Sequence, residues 1–297
     1  MSTRFERVCG DVYALRVPFG NVWTAVVLVG DKQGEYVLID SANCAERVDD
    51  TVIPALAEMG LTLDGAAYLL CTHTHGDHVG GHKRIKELCG VKVLCTEEQL
   101  PKLRDPLKYS KLIRSVFPEH SPEAPASLCG TEPDGILQDG DTVNGRLRLI
   151  KTPGHDTDTV CFFDTVTRTV ICGDSLQANG TVSQGIGLYM ELAPYRESIE
   201  RIGALGAENM LLGHSYDPIG DVALGKSEVE KCLGTCRGAV ADYHRIIAEC
   251  GDAGMEAADI ARELTRRVNA FLPDFLFLPL YTVTAHLKEL KNNRHTS

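Results

Sequence analysis

Several things are scarce in this chain. It has one tryptophan and 6% aromatic residues in 297, its 30 Lys and Arg are outnumbered by 41 Asp and Glu, and none of its 11 cysteines forms a C-x-x-C pair. The formal net charge of -11 disfavours a nucleic acid held mainly through its phosphates, while leaving room for a local basic groove. The nearest cysteines, Cys232 and Cys236, stand one helical turn apart in CLGTC, and Cys71, Cys161 and Cys172 lie in strand-like runs. They read as small core residues with reduced thiols, which removes disulfides and a cysteine-built zinc site from consideration. No apolar run is long enough to span a bilayer, and MSTRFERVCGDVYALRV lacks the apolar stretch and cleavage site of a secretory signal. The expectation is a folded protein of the cytoplasm without a membrane partner.

What is present supports a large core. The hydrophobic content is 43%, and the length suits one large domain, or one domain with an appendage. DVYALRV, VWTAVVLVG and EYVLID read as antiparallel strands, with a turn at DKQG between the last two. AERVDDTVIPALAEMG follows as a helix that Pro54 kinks or delays. AAYLLCT and VKVLC are short strands about a helix at IKELCG. The segment Thr96 to Pro133 holds several prolines and little periodicity, as an insertion or lid would. RLRLIKT, TVCFFD, RTVICGD, a helix at YRESIERIGALG and a strand at NMLLG repeat the theme, so the class is α/β in two similar halves. From KSEVEKCL onward the pattern is helical.

Cys71 to His82 reads CTHTHGDHVGGH, more coordinating side chain than packing asks for. In an extended chain His73 and His75 share a face, so two ligands meet one ion, while Asp77 and His78 follow as the backbone turns into a helix. Three further segments have the form of a strand followed by a polar turn: KTPGHDTD with His155, ICGDSL with Asp174 and LLGHSY with His214. Strand ends on one edge of a sheet converge, so these loops can bring seven ligands together. His82 is expected on a helix surface, His120 in the insertion, and His244, His286 and His295 in structural roles in the tail. Asp40, closing EYVLIDS, reads as a carboxylate that fixes a loop or a ligand.

H-x-H-x-D-H, then a PGH histidine, a GDS aspartate and a GHS histidine, in that order, resemble the metallo-β-lactamase superfamily from about Val8 to Gly220. The resemblance implies an αββα four-layer sandwich over residues 1–222, followed by a mainly helical extension over 223–297. That extension is similar to the winged-helix-like tails of lactamase-like proteins, some of which cleave RNA, but the favoured expectation is an amphipathic bundle that packs on the sandwich or builds a homodimer. By the same resemblance His73, His75 and His155 bind one ion, Asp77, His78 and His214 a second, and Asp174 bridges them. Asp77 and His214 are the candidate catalytic residues, the first orienting an attacking hydroxide and the second near the leaving group. Imidazole and carboxylate without thiolate suit two zinc ions, with iron or manganese as alternatives.

Class B β-lactamases lack an aspartate at the GDS position, so Asp174 speaks against antibiotic hydrolysis. GHDTDT departs from the glycine-containing turn of glyoxalase II, which weakens an assignment to hydroxyacylglutathione. The leading expectation is a zinc-dependent hydrolase in which a bridging hydroxide attacks a small ester, thioester or lactone. An RNA nuclease or phosphodiesterase, and an iron-dependent redox enzyme such as a persulfide dioxygenase or flavodiiron protein, share nearly the same ligands.

Overall fold

In the computed structural model, residues 4–30 and 35–296 are described, and the DKQG turn falls outside them. Seven strands form one sheet in chain order: β1 (Glu6–Cys9), β2 (Val12–Phe19), β3 (Val22–Gly30), β4 (Tyr36–Ile39), β5 (Ala66–Leu70), β6 (Lys92–Cys95) and β7 (Gly135–Ile136). The first four are an antiparallel meander, and β4 to β7 run parallel. A second sheet takes β8 (Thr142–Val143), β9 (Leu147–Lys151), β10 (Val160–Asp164), β11 (Thr169–Gly173), β12 (Asn209–Tyr216) and β13 (Gly220–Leu224) in the reverse spatial order, with only β11 and β12 parallel.

Period-two alternation decides how the sheets stack. Ala25, Val27 and Val29 of β3 pack with Val37 and Ile39 of β4 against Leu149, Phe162, Ile171 and Leu211 of the other sheet. The intervening Val26 and Leu28 face the opposite way, into a layer with Leu15, Val17, Leu38 and Leu69 that helices cover. Phe163, Val170 and Cys172 likewise face helices on the far side of the second sheet. Three apolar layers between four layers of elements make the αββα sandwich.

The first helical layer holds α1 (Ala45–Arg47), a π turn over Val48–Val52, α2 (Ile53–Glu58), α3 (Gly76–Val79) and α4 (His82–Cys89). The kink expected at Pro54 is taken up by the wider π turn just before it, which relieves the clash between a proline ring and the preceding turn. The insertion is more ordered than its prolines suggest, with α5 (Leu100–Arg104) and α6 (Pro106–Ser115) inside it. Pro101 and Pro106 sit in first turns, where a missing N–H costs nothing, and Asp105 caps α6 by accepting from the Lys108 amide at 3.0 Å.

α7 (Leu192–Gly203) and the tail helices α8 (Lys226–Asp252), α9 (Ala257–Arg267) and α10 (Phe277–Thr296) cover the second sheet. Val229, Leu233, Tyr243, Ile260, Leu264 and Val283 share one hydrophobic cluster with Phe163 and Val170. Among the described residues no strand follows Leu224, so the tail has helices without the strands of a wing. No described helix is long and apolar enough to cross a membrane. The described cysteines are all free, as the spacing suggested.

The tail docks through buried polar contacts as well. Thr282 Oγ1 donates to Gly187 O at 2.8 Å and accepts from the Tyr189 amide at 3.1 Å. His286 is fully buried, with Nε2 2.6 Å from the Tyr189 hydroxyl and Nδ1 3.1 Å from Nδ1 of His244. Burial, with His244 and Arg196 nearby, pushes the His286 imidazole down to about 3. Unfolding returns it to about 6.5, so between these values the unfolded chain binds the extra proton. Stability from this group is therefore complete above about pH 6.5 and is lost as pH falls towards 3. His286→Phe is expected to shrink the loss of unfolding free energy between pH 7 and pH 5 by about 2 kcal/mol. Denaturant titrations at the two pH values measure it, and equal losses in both proteins would reject this docking model.

Candidate metal centre

The site lies where loops leave the strands at one edge of both sheets. β5 delivers Cys71 to His75, and α3 then carries Asp77 and His78. His155 follows β9, Asp174 follows β11, and His214 lies within β12. The seven side chains fall into three overlapping groups: His73, His75 and His155; His73, His78 and Asp174; and Asp77, His78 and His214. In each group the potential ligand atoms lie within 4.8 Å of one another.

Backbone approach allows this. A Cβ on Gly80 would lie 2.0 Å from Asn43 O, so only glycine lets the HVGGH turn pass so close to the loop after β4. On Gly213 it would meet Asp174 Oδ1 at 2.4 Å and His78 Cε1 at 3.0 Å, so the space a side chain would fill is left to the cluster.

Each histidine is aimed by its second nitrogen. His78 Nδ1 is 2.8 Å from Asp40 Oδ2, His155 Nδ1 is 2.8 Å from Leu188 O, and His214 Nδ1 is 2.6 Å from the carbonyl of Trp23, the lone tryptophan. His75 differs: its Nε2 is 3.4 Å from Asp156 Oδ2, and its Nδ1 is 3.1 Å from His155 Nε2. Three inward atoms lack partners. Nε2 of His73 and His78 and Oδ1 of Asp174 are buried and make no hydrogen bond among the described residues. Such orphaned atoms are expensive in a folded interior, and several aimed at common points fit cations.

The electrostatics divide the same way. Burial, reinforced by the neighbouring imidazoles, pushes His73 well down and His155 down to about 4, so both stay neutral and free to ligate. Burial opposes the charged forms of His78 and His214 too, but carboxylates outweigh it. Asp77, Asp40 and Asp174 raise His78 to about 9, and Asp174 with Asp77 raises His214 well above the usual range. Asp77 and Asp174 are themselves held low, against burial, by His78 and His214. The carboxylate side thus draws positive charge towards itself.

A model of the metallo-beta-lactamase superfamily matches residues 20–214, a span that contains all seven side chains. The chain belongs to that superfamily. The lactamase-like protein vrtG of Penicillium aethiopicum is 28% identical over 181 residues, covering 60% of this chain and 47% of vrtG. The hydroxyacylglutathione hydrolase of Pectobacterium carotovorum is 24% identical over 252 residues, 82% of this chain and 80% of that enzyme. The chain spans between 47% and 62% of the length of vrtG and three further relatives. A metallo-beta-lactamase family protein from Thermus thermophilus superposes over 97% of this chain and 95% of its own, with a TM-score of 0.74 at 23% identity, so it has the same fold.

Within the superfamily frame, Asp40 does what its position suggested. Its backbone is left-handed (φ 63°), and its carboxylate accepts from the Thr72 amide and hydroxyl at 2.8 Å each besides fixing His78. His82 departs from expectation. It is fully buried rather than on a surface, with Nδ1 2.6 Å from Ser41 Oγ, and burial pushes it down to about 3. The cause is the glycine pair, which brings the first residue of α4 inside against the loop after β4.

Residues that motif spacing missed stand behind His75. Lys102 Nζ lies 2.7 Å from Asp156 Oδ1 and 3.0 Å from Asp158 Oδ1, and the Tyr109 hydroxyl donates to Asp156. Burial opposes ionisation of Asp156, but His75 and Lys102 hold it well below the usual range, whereas burial and Asp156 raise Asp158. The two acids directly after PGH were the available signal. Lys102 and Tyr109 come from the insertion, where nothing local marks them.

Asp40→Asn tolerates the left-handed backbone but cannot accept from both Thr72 and His78 as a carboxylate does. Metal affinity is expected to fall about 10- to 100-fold, read by competition with a chromophoric chelator. An unchanged affinity would show that this carboxylate does not set the ligand.

Proposed function

We propose that the protein is a dinuclear zinc hydrolase acting on a small ester, thioester or lactone. The observation carrying this is the His and Asp cluster, in which His73, His78 and Asp174 keep buried unpartnered atoms while His75, Asp77, His155, Asp174 and His214 line a cavity of about 320 Å3. His73, His75 and His155 would hold one ion, Asp77, His78 and His214 the other, with Asp174 shared. Bound there, two ions supply Lewis acidity and bring the pKa of a water to near neutrality.

The chain's own residues supply orientation. Thr24 Oγ1 donates to Asp77 Oδ2 at 3.0 Å, and that oxygen lies 3.3 Å from His214 Nε2, so both candidate catalytic residues are fixed at the cavity wall. The wall is largely apolar, with Ile113, Leu128, Ile186, Leu188 and Met190 among its residues. It excludes bulk water and suits an acyl group. The likeness to a hydroxyacylglutathione hydrolase supports the thioester end of this range. A nuclease is less well served, because Arg114 is the single lysine or arginine on the lining among the described residues.

Elemental analysis of purified protein is expected to give close to two zinc ions per chain, and Asp174→Ala to lower both metal content and turnover far more than Lys83→Ala on the exposed face of α4. His82, being buried, is unsuitable as that control. One tightly held ion that added metal does not supplement would refute the dinuclear reading.

Across a panel of thioesters, lactones and esters, rates on neutral substrates are expected to change little between about 50 mM and 300 mM salt. Salt-sensitive cleavage of single-stranded RNA, abolished by His73→Ala, would instead establish the nuclease.

A further inference from the structure

Arg114 is a charge without a counter-ion. It projects from α6 and is half-buried, with Nη1 donating to the carbonyl and hydroxyl of Ser110 at 3.1 and 2.5 Å. Its guanidinium carbon lies 5.1 Å from the Phe277 ring centroid of α10, and its Nε is buried with no hydrogen-bond partner. Among the described residues no Asp or Glu forms an ion pair with it, and only Nη1 is hydrogen-bonded. Burial lowers its pKa, against the pull of Asp77 across the same cavity.

The position is held from two sides. Ser110 anchors one arm of the guanidinium from within α6, and α10 places Phe277 beneath it while the Tyr281 hydroxyl donates to Ile113 O at 2.7 Å. A half-buried guanidinium braced in this way keeps Nη2 without a partner among the described residues, and a carboxylate in the cavity fits it through a charge-assisted hydrogen bond. Five of the candidate metal ligands, His75, Asp77, His155, Asp174 and His214, stand elsewhere on the same lining. An occupant therefore meets the metal centre with one end and a cation with another, and apolar wall between.

We propose that Arg114 is an anion-recognising subsite, and that the substrate is an ester or thioester whose apolar acyl body ends in a carboxylate. This rests on the hydrolase reading above. Hydrolysis of such a substrate adds one water across the acyl C–O or C–S bond, so the products are an alcohol or a thiol, a dicarboxylate and a proton, and the dicarboxylate retains the group that Arg114 binds.

The test uses the metal-loaded full chain and matched probes: 4-nitrophenyl butanoate, hexanoate and octanoate against the mono-4-nitrophenyl esters of succinate, adipate and suberate. For at least one length, kcat/KM is expected to be about tenfold higher for the carboxylate-bearing member, a preference that Arg114→Met abolishes. Calorimetric binding of adipate against hexanoate gives the same comparison without turnover, and the metal content of each variant is measured alongside. Should Arg114→Met fail to fold, Arg114→Lys keeps the charge but loses the planar guanidinium that Ser110 and Phe277 position, and is expected to lower the preference at least about threefold. Absence of preference at every length in both rates and binding, or a preference that survives the substitutions, overturns the subsite. No turnover on any ester, with the dicarboxylate preference intact and dependent on Arg114, would sink the hydrolase reading and keep the subsite.

Discussion

Burying ligand atoms that find no partner within the protein is the constraint around which the rest of this structure is arranged. Imidazole and carboxylate atoms facing one another in a dry site are unfavourable unless each is held from behind. Asp40 holds His78 and the start of the histidine loop, main-chain carbonyls hold His155 and His214, and Asp156 stands behind His75. Two buried amides brace the loops against one another. Gln99 donates to Cys71 O and Asp158 O at 3.2 and 3.1 Å, and Gln177 donates to Asp174 O and the Tyr216 hydroxyl at 3.0 Å each. The sandwich supplies rigid strand ends, and these contacts convert them into fixed directions.

The additions to the sandwich have a different task. The insertion contributes Tyr109, Ile113 and Arg114 to the cavity and the tail contributes Phe277 and Tyr281, so surfaces from both adjoin the candidate metal ligands on its wall. The two are linked, since Tyr281 bonds to α6 and Phe117 packs edge-on to its ring at 5.1 Å. The insertion also reaches the centre directly through Lys102 and Tyr109, which grip the acid behind His75. The same short helices therefore line the cavity and steady the acid behind a candidate ligand.

Legibility in the sequence followed the range of the signal. Strands buried on both faces announce themselves by composition, and the clustered His and Asp side chains by a spaced pattern of rare residue types, so the strands and the cluster could both be read from the chain. His82 could not, because its burial depends on two glycines letting α4 approach the loop after β4, a contact between segments 40 residues apart. The helices of the insertion were hidden by prolines that look like breakers yet occupy first turns. Arg114 had no local mark at all: what sets it apart is the absence of an acid near it in space, and spacing along a chain carries no information about that.

The charge of the chain and the charge of its cavity also pull in different directions, and which one governs depends on distance. The net charge of -11 is spread over a solvated surface, where a Debye length of about 8 Å at physiological salt confines each contribution. The cavity is screened far less, and there the balance is local: Asp77 and Asp174 set against the cations they fit, with Arg114 as the remaining fixed charge. A long polyanion must approach over the acidic exterior and gains from the cavity only at one residue. A small anion that crossed that exterior would meet the guanidinium and the candidate metal centre inside low-dielectric walls, where each interaction is stronger than it is in water. The same arrangement that discourages a nucleic acid is thus compatible with a compact, singly or doubly charged acyl compound.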